Sequence, residues 1–273
     1  MKPKEILVFG ASGQIGRHLL RKLTKKNFKV TVVTRNIHRK AYILKSQANA
    51  GWINIIELDS FNYKKLSEIF KNKDICINLI GILNQNNKSS FYNIHTLLPK
   101  KLAELSKENN LKQFIHLSAL GIESALDSKY ASSKLNGENE IKKVLNNYVI
   151  LKPSLVYSVD DKFTTMLFNM LKLMPIFPLY YEGKTIFYPI HVTDICEIIE
   201  KVISNEYQAE TIECIGPEKI SFKEILQRLL RSLEIRRLLI PTPLFLAKLF
   251  ANFFEITMKN PLLTKDQLIL LNY

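Results

Sequence analysis

The chain has 273 residues, which is long for one compact layer and short for two independent domains, so its length predicts one α/β domain with a smaller appended lobe. Hydrophobic residues make up 47% and charged residues 23%, a composition that indicates a globular protein and excludes a disordered one. The net charge of +14 indicates either a diffusely charged, solvated surface or a surface that attracts an anionic membrane or an acidic partner protein, and the sequence leaves both alternatives open. Nucleic acid is not expected as a partner, because the sequence shows no helix-turn-helix pattern and no basic stripe interleaved with aromatic residues.

The three cysteines are widely spaced and form no CxxC or Cys/His cluster, so neither a disulfide framework nor a metal site is expected. The first apolar run, Ile6 to Phe9, is too short for the apolar region of a signal peptide and leads straight into a glycine-rich turn. No run of about 18 uncharged apolar residues occurs, so no transmembrane helix is expected. These features predict a protein that faces the cytosol.

Short apolar runs alternate with segments of helical spacing over the first 150 residues. The first helix is predicted over Gln14 to Lys26. Strands are predicted at Glu5–Phe9, Lys29–Thr34, Ile53–Leu58, Ile75–Ile80, Gln113–Leu117 and Val149–Leu151. This alternation predicts a parallel sheet with helices on both faces, and right-handed crossovers make it doubly wound. The predicted fold class is therefore α/β, a Rossmann-type doubly wound parallel sheet with a smaller C-terminal α/β lobe.

After Pro153 the pattern loosens, which predicts a boundary between a nucleotide-binding domain over 1–153 and a smaller lobe over 154–273. The lobe is expected to form a substrate cleft or a docking region, with the chain crossing back to the Rossmann sheet. Its predicted elements are a helix over 191–204 entered through Thr193 or Asp194, a strand at Thr211–Ile215, a helix from the capping box Ser221–Glu224 to about Leu233, a strand at Arg236–Ile240 and an apolar helix over Leu244–Met258.

A glycine-rich turn joins the first predicted strand to the first helix. Gly10 permits the tight turn, Gly13 lets the backbone approach a pyrophosphate, and Gly16 lets the helix pack closely on the strand. The helix N-terminus then offers amide groups and a positive dipole to the phosphates. The candidate cofactor-binding residues of this turn are Gly10, Ser12, Gly13, Gln14, Ile15 and Gly16.

The residue that follows the second strand discriminates NAD from NADP. NAD-binding proteins usually place an acid there to bind the ribose 2′-hydroxyl, whereas this chain reads Val33-Thr34-Arg35-Asn36, with Arg39 shortly after. A guanidinium group suits a 2′-phosphate, so Arg35 favours NADPH over NAD.

Polar and small residues also follow the third and fourth predicted strands. Asp59 either accepts a hydrogen bond from the adenine amino group or caps the helix that starts near Asn62, and the sequence leaves both alternatives open. Ile80 and Gly81 end the fourth strand, where a glycine lets the sheet edge pass close to the cofactor's ribose.

Tyr130 and Lys134 lie four residues apart, on one face of a predicted helix. A nearby ammonium and a bound nicotinamide are expected to lower the phenol pKa and make Tyr130 an acid/base for carbonyl or alcohol chemistry. Lys134 is also placed to hold the nicotinamide ribose.

These motifs resemble the short-chain dehydrogenase/reductase superfamily in its extended or atypical branch. The resemblance covers the glycine turn, Asp59, Gly81, the Tyr130/Lys134 pair and Pro153, and it continues through Pro189 to Asp194. In the family, a serine or threonine at the end of the fifth strand completes the catalytic set. Here Ala119 falls at that position and Ser118 one residue earlier, and successive strand side chains point to opposite faces. This register argues against catalysis by the Tyr130/Lys134 pair, whereas cofactor binding is still expected, with Ser118, Tyr130, Lys134 and Pro153 as further candidate cofactor-binding residues.

Short motifs along nearly the whole chain narrow the resemblance to the nucleotide-binding accessory subunits of respiratory complex I and their bacterial homologues. The motifs are Ile77–Gly81, Leu105–Glu108, Phe114–Ser118, Lys152–Ser154, Asp161–Phe163, Gly216–Pro217, Pro243–Phe245, Phe253–Ile256 and Leu263–Asp266. The resemblance implies a structural NADPH, other complex I subunits as partners, and a place close to the quinone site. The implied location is peripheral, on the cytoplasmic or matrix-facing side of the energy-transducing membrane.

The apolar segment near the C-terminus has two interpretations. It packs on the protein's own core, or it is a surface for a partner subunit or a membrane interface. His191 is expected to be a structural histidine and Asp194 a helix cap.

Three functions are thus open. The first is an accessory or assembly subunit of complex I that carries NADPH and has no independent catalysis. The second is an active NAD(P)H-dependent reductase, epimerase or dehydratase. The third is a redox-sensing regulator that binds NADPH and changes partners.

Overall fold

The computed structural model describes residues 3–58, 61–85, 89–258, 261 and 263–273. Its strands, in chain order, are β1 Glu5–Phe9, β2 Lys29–Thr34, β3 Ile53–Glu57, β4 Ile75–Asn78, β5 Gln113–Leu117, β6 Tyr148–Pro153, β7 Val156–Tyr157, β8 Ile176–Leu179, β9 Ile186–Phe187, β10 Ile190–His191, β11 Glu210–Cys214, β12 Ile220–Ser221 and β13 Leu238–Pro241. Seven of them form one parallel sheet in the order β11-β6-β5-β4-β1-β2-β3. The predicted Rossmann-type fold class is confirmed.

Helices connect these strands. They are α1 Gln14–Lys25, α2 Ile37–Ser46, α3 Tyr63–Phe70, α4 Leu98–Glu108, α5 Lys129–Val144, α6 Lys162–Leu173, α7 Val192–Asn205, α8 Phe222–Ser232, α9 Leu244–Thr257 and α10 Lys265–Leu270. A π-helical turn, Tyr92–Leu97, runs directly into α4, and a 3₁₀ turn spans Tyr180–Gly183. Among the described residues, no helix is both long enough and apolar enough to cross a membrane.

The central strands are buried because helices cover both faces of the sheet. The β1 side chains from Ile6 to Phe9 are fully buried, which is why this strand is a continuous apolar run with no alternation. One face packs a cluster that includes Leu7, Phe70 and Leu102. The parallel order brings the carboxyl ends of β1, β4 and β5 to one edge, where the candidate site lies.

Side-chain caps define where several helices begin. The capping box predicted at Ser221–Glu224 is present at the start of α8. The predicted entry of α7 through Thr193 or Asp194 is wrong, because the His191 side chain accepts the hydrogen bond from the Thr193 amide and is the N-cap. Asn62 caps α3 by accepting from the Lys64 amide at 3.0 Å. Asp59 itself lies outside the described residues, so both alternatives for it stay predictions.

The chain divides into two compact units. The first comprises 1–120, 133–153 and 191–214 and holds the seven-stranded sheet. The second comprises 121–132, 154–190 and 215–273, with a core of its own built around Leu171, Phe177 and Leu226.

Candidate functional site

The turn between β1 and α1 requires glycine at two positions for steric reasons. Gly10 has a φ of +82°, and a Cβ there would lie 2.9 Å from the carbonyl carbon of Leu79. A Cβ at Gly16 would lie 2.4 Å from the Cα of Ala11, so the first turn of α1 packs directly on the backbone that follows β1. Both close approaches hold the α1 N-terminus against the sheet edge.

Gly13 is the N-cap of α1 and supplies no side-chain acceptor to the first turn. Its amide donates to the Gly10 carbonyl at 3.0 Å, and the first turn contains no acid. A helix N-terminus that lacks both a side-chain cap and a carboxylate is suited to bind a phosphate. The turn therefore fits the pyrophosphate of a dinucleotide.

The end of β2 presents a cation and an acid from two different strands. Arg35 is exposed and follows Thr34, and Asn36 caps α2 by accepting from the Arg39 amide at 3.0 Å. No acid follows β2 in sequence, but β3 places Glu57 opposite Thr34, and the Glu57 carboxylate accepts from the Ile37 amide at 2.8 Å. The Glu57 carboxylate is thereby held by the α2 backbone, and Arg35 is an exposed cation at the end of the neighbouring strand.

Buried polar groups line the carboxyl ends of β4 and β5. Asn78 Nδ2 and His116 Nδ1 lie 3.1 Å apart, and Asn78 Oδ1 accepts from the Ile80 amide at 3.1 Å. Asn78 thus fixes the chain where it leaves β4. A Cβ at Gly81 would lie 3.9 Å from both His95 Nε2 and Lys134 Nζ, so these two side chains border the space beside Gly81.

Lys134 is a buried cation whose Nζ donates to the Leu117 carbonyl at 3.2 Å. Burial lowers its pKa to about 8, against an opposing effect from the Glu138 carboxylate. Burial and the nearby Lys134 lower the pKa of His95 to about 3 and that of His116 well below its usual range. At neutral pH both imidazoles are therefore uncharged, and Lys134 is the titrating group of this cluster.

Ser118 points into a buried ion pair. Its hydroxyl donates to Glu138 Oε1, and Glu138 Oε2 lies 3.1 Å from Lys152 Nζ, with Glu138 fully buried and the Lys152 side chain 7% exposed. Burial raises the pKa of Glu138, with the Ser118 hydrogen bond opposing it, and burial lowers the pKa of Lys152, with Glu213 opposing it. The Ser118 hydroxyl is thereby committed to α5.

Tyr130 belongs to the second unit and lies in the first turn of α5. Its amide and that of Lys129 donate to the Asp266 carboxylate, at 3.1 and 2.7 Å, so a residue of α10 caps this helix. The expected lowering of the Tyr130 pKa does not occur. Burial, together with the Asp266 carboxylate, raises that pKa well above its ordinary value.

The structure thus brings together Gly10, Gly13, Gly16, Ile80, Gly81 and Lys134, all in the first unit at the same edge of the sheet. Ser12, Gln14 and Ile15 lie in the same turn, and Pro153 ends β6. Sequence reasoning missed His95, His116 and Glu138. A polar residue inside the apolar run of β5 is a signal for His116, whereas no local pattern marks His95.

A seven-stranded parallel Rossmann sheet with a glycine turn at the β1–α1 junction defines a protein of the dinucleotide-binding class. The chain belongs to the NAD dependent epimerase/dehydratase family, whose model matches residues 6–214. The predicted resemblance to this superfamily is confirmed.

Two relatives match nearly the whole chain. The mitochondrial NADH-ubiquinone oxidoreductase 40 kDa subunit of Neurospora crassa is 24% identical over 262 residues, which cover 96% of this chain and 68% of that protein. The mitochondrial NADH dehydrogenase [ubiquinone] 1 alpha subcomplex subunit 9 of Mus musculus is 25% identical over 262 residues, covering 95% and 69%. The crystal structure of a dTDP-glucose 4,6-dehydratase from Streptomyces venezuelae, with NAD bound, has a TM-score of 0.73 at 17% identity, covering 88% of this chain and 85% of that one, and supports the fold alone.

Proposed function

We propose that this chain is an NADPH-binding accessory or assembly subunit of respiratory complex I, in which the dinucleotide is a structural cofactor. The similarity to two subunits of NADH-ubiquinone oxidoreductase extends over nearly the whole chain, including the second unit. Both relatives are mitochondrial subunits of NADH dehydrogenase, which supports a location at an energy-transducing membrane. We propose that this location is peripheral.

The observation that carries the absence of independent catalysis is the engagement of Ser118. A serine that polarises a substrate carbonyl must direct its hydroxyl to the substrate, but this hydroxyl donates to the buried Glu138 carboxylate. A bound dinucleotide would then contribute its binding free energy to folding without turnover.

NADPH is the proposed cofactor. The α1 N-terminus and the glycine turn would hold the pyrophosphate, Arg35 the 2′-phosphate, and Lys134 with Gly81 the nicotinamide ribose. When bound, the cofactor supplies a hydride donor, although the proposed role does not use it. Asp59, which lies outside the described residues, stays predicted either as an adenine contact or as a cap of α3.

Helix α9 is the proposed docking surface, and its packing supports this. Only small side chains are buried, since Ala247 and Ala251 contact Tyr180 and Leu268. The larger apolar side chains of α9 are exposed instead: Phe245 by 64%, Leu249 by 61%, Phe253 by 60% and Ile256 by 77%. An apolar surface of this kind marks a site for a partner subunit or, with the chain's excess of cations, for an anionic membrane surface.

Affinity purification of the tagged full chain from solubilised membranes tests the proposal. Complex I subunits should co-purify in near-stoichiometric amounts, and NADPH should be released on denaturation. Recovery of a free monomer that oxidises NADPH with a carbonyl substrate would contradict it.

An active reductase, epimerase or dehydratase is the second candidate. It is supported by the family and by Tyr130 and Lys134, which lie one turn apart on α5. It predicts turnover that is lost in Tyr130→Phe while the cofactor stays bound.

A further inference from the structure

His95 joins two segments that lie on either side of Gly81. Its Nε2 accepts a hydrogen bond from the Ile82 amide at 3.1 Å, and its Nδ1 lies 3.0 Å from the Ser133 hydroxyl oxygen. Because Nε2 accepts, the neutral ring carries its proton on Nδ1 and donates to Ser133. One buried ring therefore ties the loop after β4 to the second turn of α5.

Contacts around His95 hold its backbone in place. It lies in the π-helical turn, where a Cβ at Gly137 would come within 1.9 Å of its carbonyl oxygen. Helix α5 thus packs on this turn through backbone contact that only glycine permits. Thr96 adds a second link, since its hydroxyl donates to the Ser133 carbonyl at 2.8 Å. Single π-helical turns are frequent at functional sites, so this turn is consistent with a role in ligand binding as well as in packing.

His95 is uncharged at neutral pH, as a residue with a constant structural role requires. Lys134 faces it across Gly81, Phe91 stacks on it with ring centroids 5.3 Å apart, and Ser133 and Ile82 supply its hydrogen bonds. The cation and burial together keep the imidazole neutral, so both of its bonds persist over the physiological pH range. The ring sets how far the β4 loop stands from α5.

We propose that His95 is a positioning residue for the nicotinamide-ribose end of the dinucleotide. By fixing Ile82 and Ser133, it holds Gly81 and Lys134 at the separation across which that ribose binds. This inference rests on the proposed function, and it concerns only the nicotinamide-ribose end of the proposed cofactor site.

Two ligands separate this role from a general effect on folding. NADPH reaches both ends of the site, whereas 2′,5′-ADP carries the adenosine phosphates and no nicotinamide ribose. His95→Phe keeps the aromatic ring and removes both hydrogen bonds. We expect it to weaken NADPH about tenfold in calorimetric titration and to change 2′,5′-ADP binding by less than about twofold. The fluorescence enhancement of bound NADPH, which reports on the nicotinamide environment, should fall in parallel.

Milder variants keep the test decisive if His95→Phe folds poorly. His95→Gln retains an acceptor for Ile82 and should recover part of the NADPH affinity, and Ser133→Ala should lose part of it. Ser106→Ala is the matched control, since Ser106 is a buried helical serine whose hydroxyl donates to the Leu102 carbonyl at 2.7 Å and also bonds the Cys76 thiol, with no described contact to His95 or Ser133.

Two results would overturn the inference while leaving the proposed function intact: an equal loss of both ligands in His95→Phe, or unchanged NADPH affinity. If the wild-type chain bound neither ligand, the proposed function would fail first and the inference with it.

Discussion

Lys134 is expected to lower the free energy of unfolding of the cofactor-free protein, although the proposed cofactor site requires this side chain. A buried ammonium beside two neutral imidazoles loses hydration that its bond to the Leu117 carbonyl replaces only in part. Glu138, one turn further along α5, is partnered by Lys152 and Ser118 and compensates Lys134 incompletely. Groups with strongly shifted pKa values cluster at functional sites, where side chains that bind a ligand often reduce the stability of the free protein.

Lys134→Met is expected to raise the Tm of the cofactor-free protein at pH 7 and to weaken NADPH binding. The folded-state pKa of about 8 lies below the ordinary 10.5, so the unfolded chain binds more protons between these values and wild-type stability rises with pH there. Below pH 8 the full cost of the buried charge is present. The Tm difference between variant and wild type should therefore be largest near pH 7 and shrink toward pH 10.

Lys152→Met is the matched control, because it removes the partner of a buried carboxylate. It should destabilise the protein by about 3–5 kcal/mol at pH 7, opposite in sign to Lys134→Met. A Tm for Lys134→Met below that of wild type at every pH would show that the Lys134 charge is compensated in the folded state.

Arg35→Ala tests the choice between NADPH and NADH. If the guanidinium binds the 2′-phosphate, its loss removes a charge-assisted contact that NADH never makes. NADPH should bind about tenfold or more weakly, with NADH within about twofold of wild type. Lys45→Ala, at an exposed cation in the last turn of α2, the helix that begins just after Arg35, controls for general charge loss. Equal weakening of both dinucleotides would mean that Arg35 is a surface cation.

At the scale of elements, two glycines of the turn before α1 have different expected roles: Gly16 in helix packing and Gly13 in dinucleotide binding. A Cβ at Gly16 meets backbone atoms at 2.4 to 2.6 Å, whereas a Cβ at Gly13 meets only the Gly10 carbonyl oxygen, at 3.2 Å. Gly16→Ala should therefore cost about 1–3 kcal/mol of stability through overpacking. Gly13→Ala should cost less stability but reduce dinucleotide binding, since its Cβ would occupy the surface offered to the pyrophosphate. Thermal denaturation and NADPH titration of both variants check this, and the prediction is wrong if the two lose stability equally.

Helix α9 carries an apolar surface that folding does not bury. Because Phe245 and Phe253 are exposed, replacing both by serine should change the free energy of unfolding by no more than about 0.5 kcal/mol per site. The same double variant should lose co-purification with its partners from solubilised membranes. Tyr42→Ser, at a 70% exposed aromatic of α2, is the control and should retain its partners. A large drop in Tm for the α9 variant would instead indicate that the two rings stabilise this chain's own fold.

The sequence predicted most of the central sheet because each of its strands is a short apolar run bounded by polar residues or glycine. Strands β1, β2 and β5 begin and end where the apolar runs do. The predicted strand at Val149–Leu151 extends to Tyr148–Pro153, since pairing with β5 and β11 on either side prolongs it. The π-helical turn and the His95 cluster escaped prediction because they depend on contacts between segments 38 residues apart. The same holds for Asp266, which caps a helix from more than 130 residues away.

For the whole molecule, the distribution of charge fits a polyanionic ligand. Positions 6 to 56, which lie between Glu5 at the start of β1 and Glu57 at the end of β3, contain ten Lys and Arg and no Asp or Glu. Lys22, Lys26 and Lys29 form ion pairs with Glu200 or Glu5, and the other cations of this stretch raise the local concentration of anions and their association rate. Fold, turn and charge together support the proposed retention of a dinucleotide, and the engagement of the Ser118 hydroxyl by Glu138 supports the proposed absence of turnover.

Tyr130→Phe distinguishes the two proposed functions in the intact assembly. The substitution removes one hydroxyl and keeps the half-buried ring, and a structural cofactor needs the shape of its site but no proton donor. We therefore expect NADPH to remain bound, and the NADH:ubiquinone oxidoreductase activity of membranes that carry the variant to stay close to that of wild type. Gly13→Ala is the matched positive control, because losing the cofactor itself should lower the amount of assembled complex. Loss of activity in Tyr130→Phe membranes that retain NADPH would instead assign the phenol a chemical role, and would favour the reductase or epimerase function over the structural one.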